Sequence, residues 1–364
     1  MTWGDIMMKI CFCLWGINLK PIGGCKIVYE YANRLSEIGH DVTIAFNCNQ
    51  TIKRYKLPKF IRKMLSNYFV KEYPKWFSLN KDVKKICVDN IDNETIPDSD
   101  IVIATAITTA QDVYKLDKNK GQKLYFIQDF ENWVVSDEEV INTYKLNMKN
   151  IVISKWLKEI VDQYSVFPSV YIPNGIDLDV FGIDIPIHER NHYSIAMLYH
   201  KSEHKGSKYG LEVIYRLKEI YPDLEARIFG VPERPKNLPD WINYTKNATQ
   251  AQLRKIYNNS AIFLCTSVIE GFGLTGAESM ACGCALVSTA YKGVFEYAED
   301  GKNALISPIK DVDSLVDNIV KLFSDNDLRI KIATQGVKDI NKLSWEESVE
   351  KFNKVLEETV ISSV

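Results

Sequence analysis

The sequence has few of the features that mark membrane, secreted or polyanion-binding proteins. No stretch approaches the apolar length of a membrane span. The N-terminus lacks the basic-then-apolar order and the cleavage site of a signal peptide. The formal net charge of −2 argues against a protein built mainly around nucleic acid. We therefore expect a cytoplasmic protein, with peripheral attachment at the inner face of the cell membrane as an open alternative.

Metal-ligand spacings are also missing. The eight cysteines include no C-x-x-C pair, and Cys48 and Cys87 each stand alone. His200 and His204 have helical i, i+4 spacing, but they lack an H-E-x-x-H context. We expect reduced, buried cysteines, no metal site and no cofactor.

Short apolar runs alternate with amphipathic stretches along the chain, which is typical of βα units and parallel sheets. A length of 364 residues exceeds one ordinary core and suits two domains. Pro, Asn and Gly in "PNGID" (173–177) mark the boundary. We predict an α/β fold with an N-terminal domain at 1–174, a second domain at 175–342 and a C-terminal helix at 343–364 that packs back on the first domain.

The apolar runs also predict individual elements. A helix is expected after Gly23-Gly24, ending at Gly39, and a capping box at Ser344 is expected to start the last helix. The predicted strands are KICFCLW, DVTIAF, IVIATA, KLYFIQ, NIVIS and SVYIP in the first domain, and YSIAMLY, EARIFG, AIFLCTS, ALVST and NALISP in the second.

The composition changes locally between Lys53 and Lys75. This segment contains eight Lys or Arg residues and a single acid, Glu72. Apolar side chains recur there with helical spacing, namely Phe60, Ile61, Met64, Leu65, Tyr68 and Phe69. Two interpretations stay open. The segment is either a core-facing helix with a solvated basic face, or a helix at 53–77 that lies on an anionic membrane surface near a lipid-linked substrate.

The segment "EGFGLTGAE" (270–278) carries the clearest chemistry. Its centre spells the G-x-G-x-x-G pattern of dinucleotide-binding turns. An NAD site would also need an acid at the end of the next strand, "ALVST", which is followed instead by Ala290, Tyr291 and Lys292. Glu270 would moreover repel a nearby pyrophosphate. The dinucleotide interpretation is therefore not favoured.

The two glutamates suggest another ligand. We place Glu270 at the end of a strand and Glu278 in the first turn of the following helix, where a carboxylate is favourable. Two carboxylates on either side of a loop of N–H donors suit a ligand with hydroxyls at both ends and phosphates between, because the glycines let the backbone come close to it. A nucleotide sugar has that layout.

The longer segment "EGFGLTGAESMACGCALVST", with Gly293, Glu296 and "EDGKNALISP" after it, resembles retaining glycosyltransferases of family 4. "PNGID" is similar to the interdomain junction of that family, and Gly23-Gly24 to its N-terminal glycine loop. "QDFE" (128–131) is similar to a subgroup that includes bacterial rhamnosyltransferases. The resemblance implies the GT-B fold, with two Rossmann-like domains facing across a cleft, and a metal-independent, hexosyl-type transferase.

The resemblance also implies roles for single residues. Glu270 would hold hydroxyls of the transferred sugar, Glu278 the ribose hydroxyls, and Lys205 the diphosphate, whose developing charge it would stabilise. Amides at Phe272, Gly273 and Leu274, with the Thr275 hydroxyl, would contact the sugar or diphosphate. Gly24 would let the N-terminal loop approach the phosphate or the acceptor.

The chain departs from the family at two places. Where the family has an Arg five residues before the Lys, this chain has His200 with Lys201 beside it, and a histidine is not an arginine equivalent. No histidine lies between His40 and His188, so Gln128 and Asp129 become the first-domain candidates near the sugar or acceptor. His200 as a surface histidine and "QDFE" as an ordinary polar strand end remain open alternatives.

The expected function is transfer of a sugar from a UDP-, dTDP- or GDP-sugar to a glycan or lipid-linked acceptor, with retention, in bacterial-type polysaccharide synthesis. The resemblance implies that the leaving phosphate takes the acceptor proton. Two alternatives remain open, a nucleotide-sugar epimerase of the same fold and a non-catalytic nucleotide-sugar-binding subunit.

Overall fold

A computed structural model describes residues 6–48 and 58–362 of the chain. The chain divides into two compact units. The first unit comprises the residues up to Pro173 together with those from Glu346 onward, and the second unit runs from Asn174 to Trp345. None of the helices in the described ranges combines the length and the apolarity that a bilayer crossing requires.

The first unit contains a parallel sheet of seven strands in the order β3-β2-β1-β4-β5-β6-β7. The order reverses between β1 and β4, which are neighbours in space but not in sequence. The strands are β1 (Lys9–Leu14), β2 (Asp41–Asn47), β3 (Lys84–Val88), β4 (Ile101–Ala104), β5 (Gln122–Ile127), β6 (Lys149–Val152) and β7 (Val170–Tyr171). The helices are α1 (Gly23–Glu37), α2 (Lys59–Glu72), α3 (Ile107–Tyr114), α4 (Asp137–Tyr144) and α5 (Lys155–Val161).

The second unit contains a parallel sheet of six strands in the order β10-β9-β8-β11-β12-β13, with the reversal between β8 and β11. The strands are β8 (Ser194–Tyr199), β9 (Glu225–Gly230), β10 (Ile242–Lys246), β11 (Ile262–Cys265), β12 (Ala285–Thr289) and β13 (Ala304–Ser307). The helices are α6 (Ser207–Ile220), α7 (Gln250–Asn258), α8 (Leu274–Ala281), α9 (Val312–Ser324) and α10 (Asn326–Ile340). The predicted α/β class with parallel sheets is confirmed.

Each predicted strand segment overlaps an observed strand, but two observed strands were not predicted. These are β3 and β10, and each lies at the edge of its sheet. Their sequences, KKICV and INYTK, expose lysine or asparagine side chains. A strand at the edge of a sheet does not need to be apolar on both faces. The sequences of β3 and β10 therefore lack the continuous apolar run that marks a buried parallel strand.

Helix α1 follows the predicted pattern on its buried face, which includes Ile27, Val28 and Leu35. Gly39 after it has a φ of +102°, a conformation that favours glycine at the end of a helix. The start differs from the prediction, because Gly23 and Gly24 are the first two residues of the helix rather than part of a loop.

The last helix, α11 (Trp345–Ile361), begins directly after Ser344. The ring of the fully buried Phe352 packs against Tyr31, at a ring-centroid distance of 4.3 Å, and edge-to-face against Phe126, at 5.5 Å. Asn353 Oδ1 lies 2.7 Å from His40 Nε2. This helix therefore completes the core of the first unit.

The cysteines correct one expectation. Cys48 and Cys87 are joined in a disulfide, which links the residue after β2 to the edge strand β3. The prediction of reduced thiols is wrong for this pair, because the parallel register sets Phe46 beside Cys87 and brings two sequence-distant residues together. The free, buried cysteines are Cys11, Cys13, Cys25, Cys265, Cys282 and Cys284.

Candidate active site

The candidate residues of the second unit lie at the point where its strand order reverses. The loops that follow β8 and β11 leave the same edge of the sheet, because these parallel strands are neighbours. Ligands in open α/β sheets bind at such a reversal, outside the carboxyl ends of the strands. The β8 loop carries residues 200–206 and the β11 loop residues 266–273.

Backbone hydrogen bonds hold the two loops together. The carbonyl of His204 accepts from the amides of Val268, at 2.7 Å, and Ile269, at 3.3 Å. The carbonyl of Gly206 accepts from the Thr266 hydroxyl at 3.0 Å. Gly206 has a φ of +62°, and a Cβ atom there would lie 1.8 Å from the Thr266 carbonyl oxygen, so this close approach requires glycine.

This contact brings Lys205 and Glu270 together. Lys205 Nζ lies 3.2 Å from Glu270 Oε1, and the two side chains are 24% and 10% exposed. The Ser267 hydroxyl donates a second hydrogen bond to the same carboxylate oxygen. A half-buried cation and a buried carboxylate are thus held side by side at the sheet edge, where each can contact a polar ligand.

His200 and His204 lie beside this pair, with ring centroids 6.3 Å apart. Burial lowers the pKa of both imidazoles, and the Lys205 charge lowers it further, while Glu270 opposes the shift. His200 Nδ1 accepts a hydrogen bond from the Ser202 amide at 3.0 Å. The neutral imidazole therefore carries its proton on Nε2, and His200 does not supply the permanent charge of an arginine. Lys201 is exposed.

The two glutamates occupy places that differ from the prediction. Because β11 ends at Cys265, Glu270 lies within the loop rather than at the end of the strand. Because α8 begins at Leu274, Glu278 lies in its second turn rather than its first. Both residues are buried, with 8% and 4% of the whole residue exposed. The N-terminus of α8 directs its first amides, including those of Leu274 and Thr275, out of the helix.

The glycines of this loop are packed against two tyrosines. Gly273 has a φ of +90°, and a Cβ atom there would lie 2.1 Å from the hydroxyl of Tyr291. A Cβ atom at Gly276 would lie 2.4 Å from the hydroxyl of Tyr297. The space beside these two glycines is therefore filled by the protein itself, whereas the prediction attributed the glycines to the approach of a ligand. Phe272 is buried, and its ring lies 5.4 Å from that of Tyr297.

The first-unit candidates meet at the carboxyl edge of the other sheet. Gln128 follows β5, and its Oε1 lies 3.5 Å from the position that a Cβ atom would take on Gly24. Asp129 Oδ1 accepts from the amide of Phe130 at 2.9 Å. Glu131, which was not among the predicted site residues, accepts from the Ile107 amide at 2.6 Å, at the start of α3. Gly24, Gln128 and Asp129 thus form a polar edge on this unit.

Residues 187–339 match the family model described as glycosyl transferases group 1. By this match, the segment is similar to group 1 glycosyl transferase domains. It contains β8 to β13 and so the whole set formed by Lys205, Glu270 and Glu278.

Relatives extend the likeness beyond this domain. An uncharacterized glycosyltransferase of Methanocaldococcus jannaschii is 25% identical over 220 residues, which are 58% of this chain. The alignment spans 59% of the archaeal protein. A sucrose-phosphate synthase of Thermosynechococcus elongatus has a similar structure, with a TM-score of 0.75 at 15% identity over 98% of this chain and 100% of that one. The Anabaena protein HepE, solved with UDP and glucose, also has a similar structure. Its TM-score is 0.69 at 16% sequence identity, and the match covers 98% of this chain and 100% of HepE. These likenesses confirm the predicted fold class, GT-B, with its two parallel sheets.

Several residues beside the candidate site were not predicted from the sequence. Ser267, three positions before Glu270, could have been found from its spacing to that acid. Tyr291 and Tyr297 carry no such signal, because their contact with the glycine loop depends on how β12 lies beside β11. Within the described residues, no group of three or more His, Cys, Asp and Glu side chains is arranged to hold a metal ion.

Proposed function

We propose that this chain transfers a hexosyl group from a nucleotide diphosphate sugar to a hydroxyl of a glycan or lipid-linked saccharide, with retention of anomeric configuration, in bacterial-type polysaccharide synthesis. The observation that carries the proposal is the Lys205–Glu270 pair, held at 3.2 Å beside the N-terminus of α8 within the group 1 domain. A cation, a carboxylate and free helix amides at one sheet edge match the diphosphate and hydroxyls of such a donor.

Each residue of the set has a distinct part in this proposal. Glu270 accepts hydrogen bonds from hydroxyls of the transferred sugar, and Glu278 from those of the ribose. Lys205 stabilises the charge that develops on the leaving diphosphate, a task that a divalent cation performs in other enzymes. His200 and Lys201 lie on the same loop and contribute polar contacts.

The donor amides come from the loop at the start of α8. Phe272, Gly273 and Leu274 supply N–H groups, and Thr275 supplies a hydroxyl. In the first unit Gly24, Gln128 and Asp129 present the polar edge that receives the acceptor or the sugar. No separate general base is needed, because the leaving phosphate oxygen takes the acceptor proton.

A thermal-shift assay tests which donor the protein binds. The assay compares UDP-, dTDP- and GDP-sugars, each with and without EDTA. HepE binds UDP, which makes UDP-glucose the first compound to examine. Stabilisation by one donor that EDTA leaves unchanged would support a metal-independent nucleotide-sugar site. Absence of a shift with every donor would contradict the proposal.

Two substitutions test the roles in turnover. Glu270→Gln keeps an acceptor for Ser267 but removes the charge, and Lys205→Met keeps the length of the side chain. Each should lower nucleoside diphosphate release by about 100-fold or more, the size expected when a group that stabilises the transition state is lost. The exposed Lys331→Met on α10 serves as the control and should retain full activity.

The same assay separates the alternative functions. Conversion of the donor sugar without any acceptor would identify an epimerase. Donor binding without transfer to a panel of free and polyprenyl-linked saccharides would identify a non-catalytic subunit. For an active enzyme, the NMR coupling at the new anomeric centre reports retention or inversion.

The proposal includes peripheral contact with a membrane. Helix α2 is the element that would lie on the anionic lipid surface. Phe60, Met64 and Tyr68 follow one another at intervals of four and are 73%, 66% and 56% exposed. Lys63 and Lys71 are exposed on the same face of the helix. Apolar and basic side chains together suit a helix that rests on an anionic bilayer near a lipid-linked acceptor. Residues 53–57 of the predicted segment lie outside the described residues.

A further inference from the structure

Two tyrosines form a hydrogen-bonded relay behind the candidate donor loop. Tyr291 and Tyr297 flank the short 3-10 helix Lys292–Glu296, and both are buried. Their hydroxyl oxygens are 2.5 Å apart, and the Tyr297 hydroxyl donates to the carbonyl of Gly273 at 2.9 Å. Because Tyr297 has one hydroxyl proton and gives it to Gly273, Tyr291 is the donor between the two tyrosines.

This relay adds a side-chain hydrogen bond to one peptide plane of the loop, whose Gly273 carbonyl also accepts from the amides of Gly276, at 3.1 Å, and Ala277, at 3.4 Å. The carbonyl of Gly273 and the amide of Leu274 belong to the same planar, trans peptide group, so they point in opposite directions. Holding the carbonyl on Tyr297 therefore directs the Leu274 N–H away from the tyrosines. That N–H is the first amide of α8, one of the groups that has no partner within the helix.

We propose that Tyr291 and Tyr297 are positioning residues for the nucleotide sugar. Their relay holds the Gly273–Leu274 peptide in the orientation that presents its N–H to the donor phosphate or sugar. The inference rests on the proposed function, because it names the part of that site that the tyrosines control. Neither tyrosine touches the donor in this account, and each acts through the loop.

Removal of the hydroxyl groups one at a time tests the relay. Tyr297→Phe keeps the ring against Phe272 but loses the bond to Gly273, and it should raise the KM for UDP-glucose about fivefold, the loss expected for one neutral hydrogen bond. The kcat should stay within about twofold, since the catalytic groups are unchanged. Tyr291→Phe leaves the last bond of the relay in place and should give a smaller rise.

The matched control is Tyr257→Phe. Tyr257 is a fully buried tyrosine of the same unit whose hydroxyl has no hydrogen-bond partner. Its substitution should leave the KM unchanged. If Tyr297→Phe lowers only the melting temperature and leaves the KM for UDP-glucose at the wild-type value, the tyrosines are merely structural and the inference is wrong.

A second test uses the contact between Tyr297 and Gly276. In the wild type, an alanine at 276 would place its Cβ atom 2.4 Å from the Tyr297 hydroxyl, whereas the next atoms, both of the ring, are at 3.3 and 3.5 Å. Gly276→Ala should therefore raise the KM more than Tyr297→Phe does. In the Tyr297→Phe background the same change should add little, because the clashing oxygen is gone. An equal cost of Gly276→Ala in both backgrounds would overturn the inference.

Hydrogen exchange separates this inference from the proposed function. Without ligand, Tyr297→Phe should speed amide exchange at residues 274–277, and Tyr257→Phe should not. A wild-type protein that binds none of the nucleotide sugars would show that the proposed function is wrong, and with it the ligand named here. A wild type that binds and turns over UDP-glucose, with unchanged exchange and KM in Tyr297→Phe, would refute the positioning role alone.

Discussion

The carboxyl group of Glu131 accepts a hydrogen bond from the amide of Ile107 at the N-terminus of α3. Burial raises the pKa of Glu131 to about 7, the hydrogen bond from Ile107 opposes this, and the Asp129 charge adds to the rise. Cys25, Tyr125 and Tyr144 also face this carboxyl group. Glu131 therefore titrates near neutral pH, within the polar segment that carries Gln128 and Asp129.

The shift predicts a pH dependence of stability. In the unfolded chain Glu131 ionises near its usual pKa of about 4.3, whereas in the fold it keeps its proton up to about pH 7. Because the folded state binds more protons in this window, the free energy of unfolding should fall as the pH rises through it. Glu131→Gln keeps the acceptor for Ile107 and removes the ionisation. The variant should match the wild type near pH 4 and exceed its stability at pH 8 by roughly 3–4 kcal/mol.

Urea denaturation of both proteins from pH 4 to pH 8 measures this difference. Glu138→Gln removes an exposed acid of α4 and is the control, which should follow the wild-type curve. Parallel curves for Glu131→Gln and the wild type would show that Glu131 has an ordinary pKa.

At the scale of elements, α2 differs from the other helices whose faces have been described, because three of its large apolar side chains, Phe60, Met64 and Tyr68, are exposed. The helix α1, in contrast, buries Ile27, Val28 and Leu35 against its sheet. Burying three exposed apolar side chains in a bilayer interface would favour attachment, and Lys63 and Lys71 would add attraction to anionic headgroups.

This face of α2 predicts binding to anionic vesicles. The wild type should sediment with vesicles that contain phosphatidylglycerol and less with pure phosphatidylcholine, and salt should weaken the binding. The triple variant Phe60→Ser, Met64→Ser, Tyr68→Ser should lose most of the bound fraction. Ile220→Ser with Ile361→Ser removes exposed apolar side chains from other helices and should leave it unchanged. Equal loss in both variants would argue against α2 as the contact.

The comparison of central and edge strands shows which elements could be predicted. Central strands such as β1 and β11 read as apolar runs because helices cover both faces of a parallel sheet. The strands β3 and β10 carry lysines and asparagine and were not predicted. Their place in the sheet comes from pairing with β2 and β9, which a local pattern does not contain.

At the scale of the whole molecule, the chain leaves the first unit at Pro173 and rejoins it at Glu346. Phe352 of α11 then packs against Phe12, Tyr31 and Phe126 of the first unit. A unit assembled from both ends of the chain depends on contacts between residues more than two hundred positions apart.

Removing the Phe352 ring should destabilise the first unit. Phe352→Ala removes a fully buried ring and should lower the free energy of unfolding of the first unit by about 3–5 kcal/mol. The transition of the second unit, recognised by its shift with UDP-glucose, should not move. Calorimetry with and without that donor measures both, and Phe167→Ala, at an exposed phenylalanine of the first unit, is the control. An unshifted first transition would show that α11 adds nothing to the core.

The local pattern of the sequence determined the central strands, the helix α1 that follows β1, and the loop with Glu270 that leads into α8. Each of these depends on residues close together in the chain, such as an apolar run, a turn or a glycine at a helix end. The family resemblance stated from the sequence rests on the same short segments, whereas the group 1 match spans residues 187–339.

Tertiary structure alone decided which distant residues meet. The Lys205–Glu270 pair exists because β8 and β11 are neighbours in the sheet. The reason Gly273 and Gly276 are glycines became clear only when Tyr291 and Tyr297 were found against them, since parallel strands join residues whose separation in sequence carries no periodic signal.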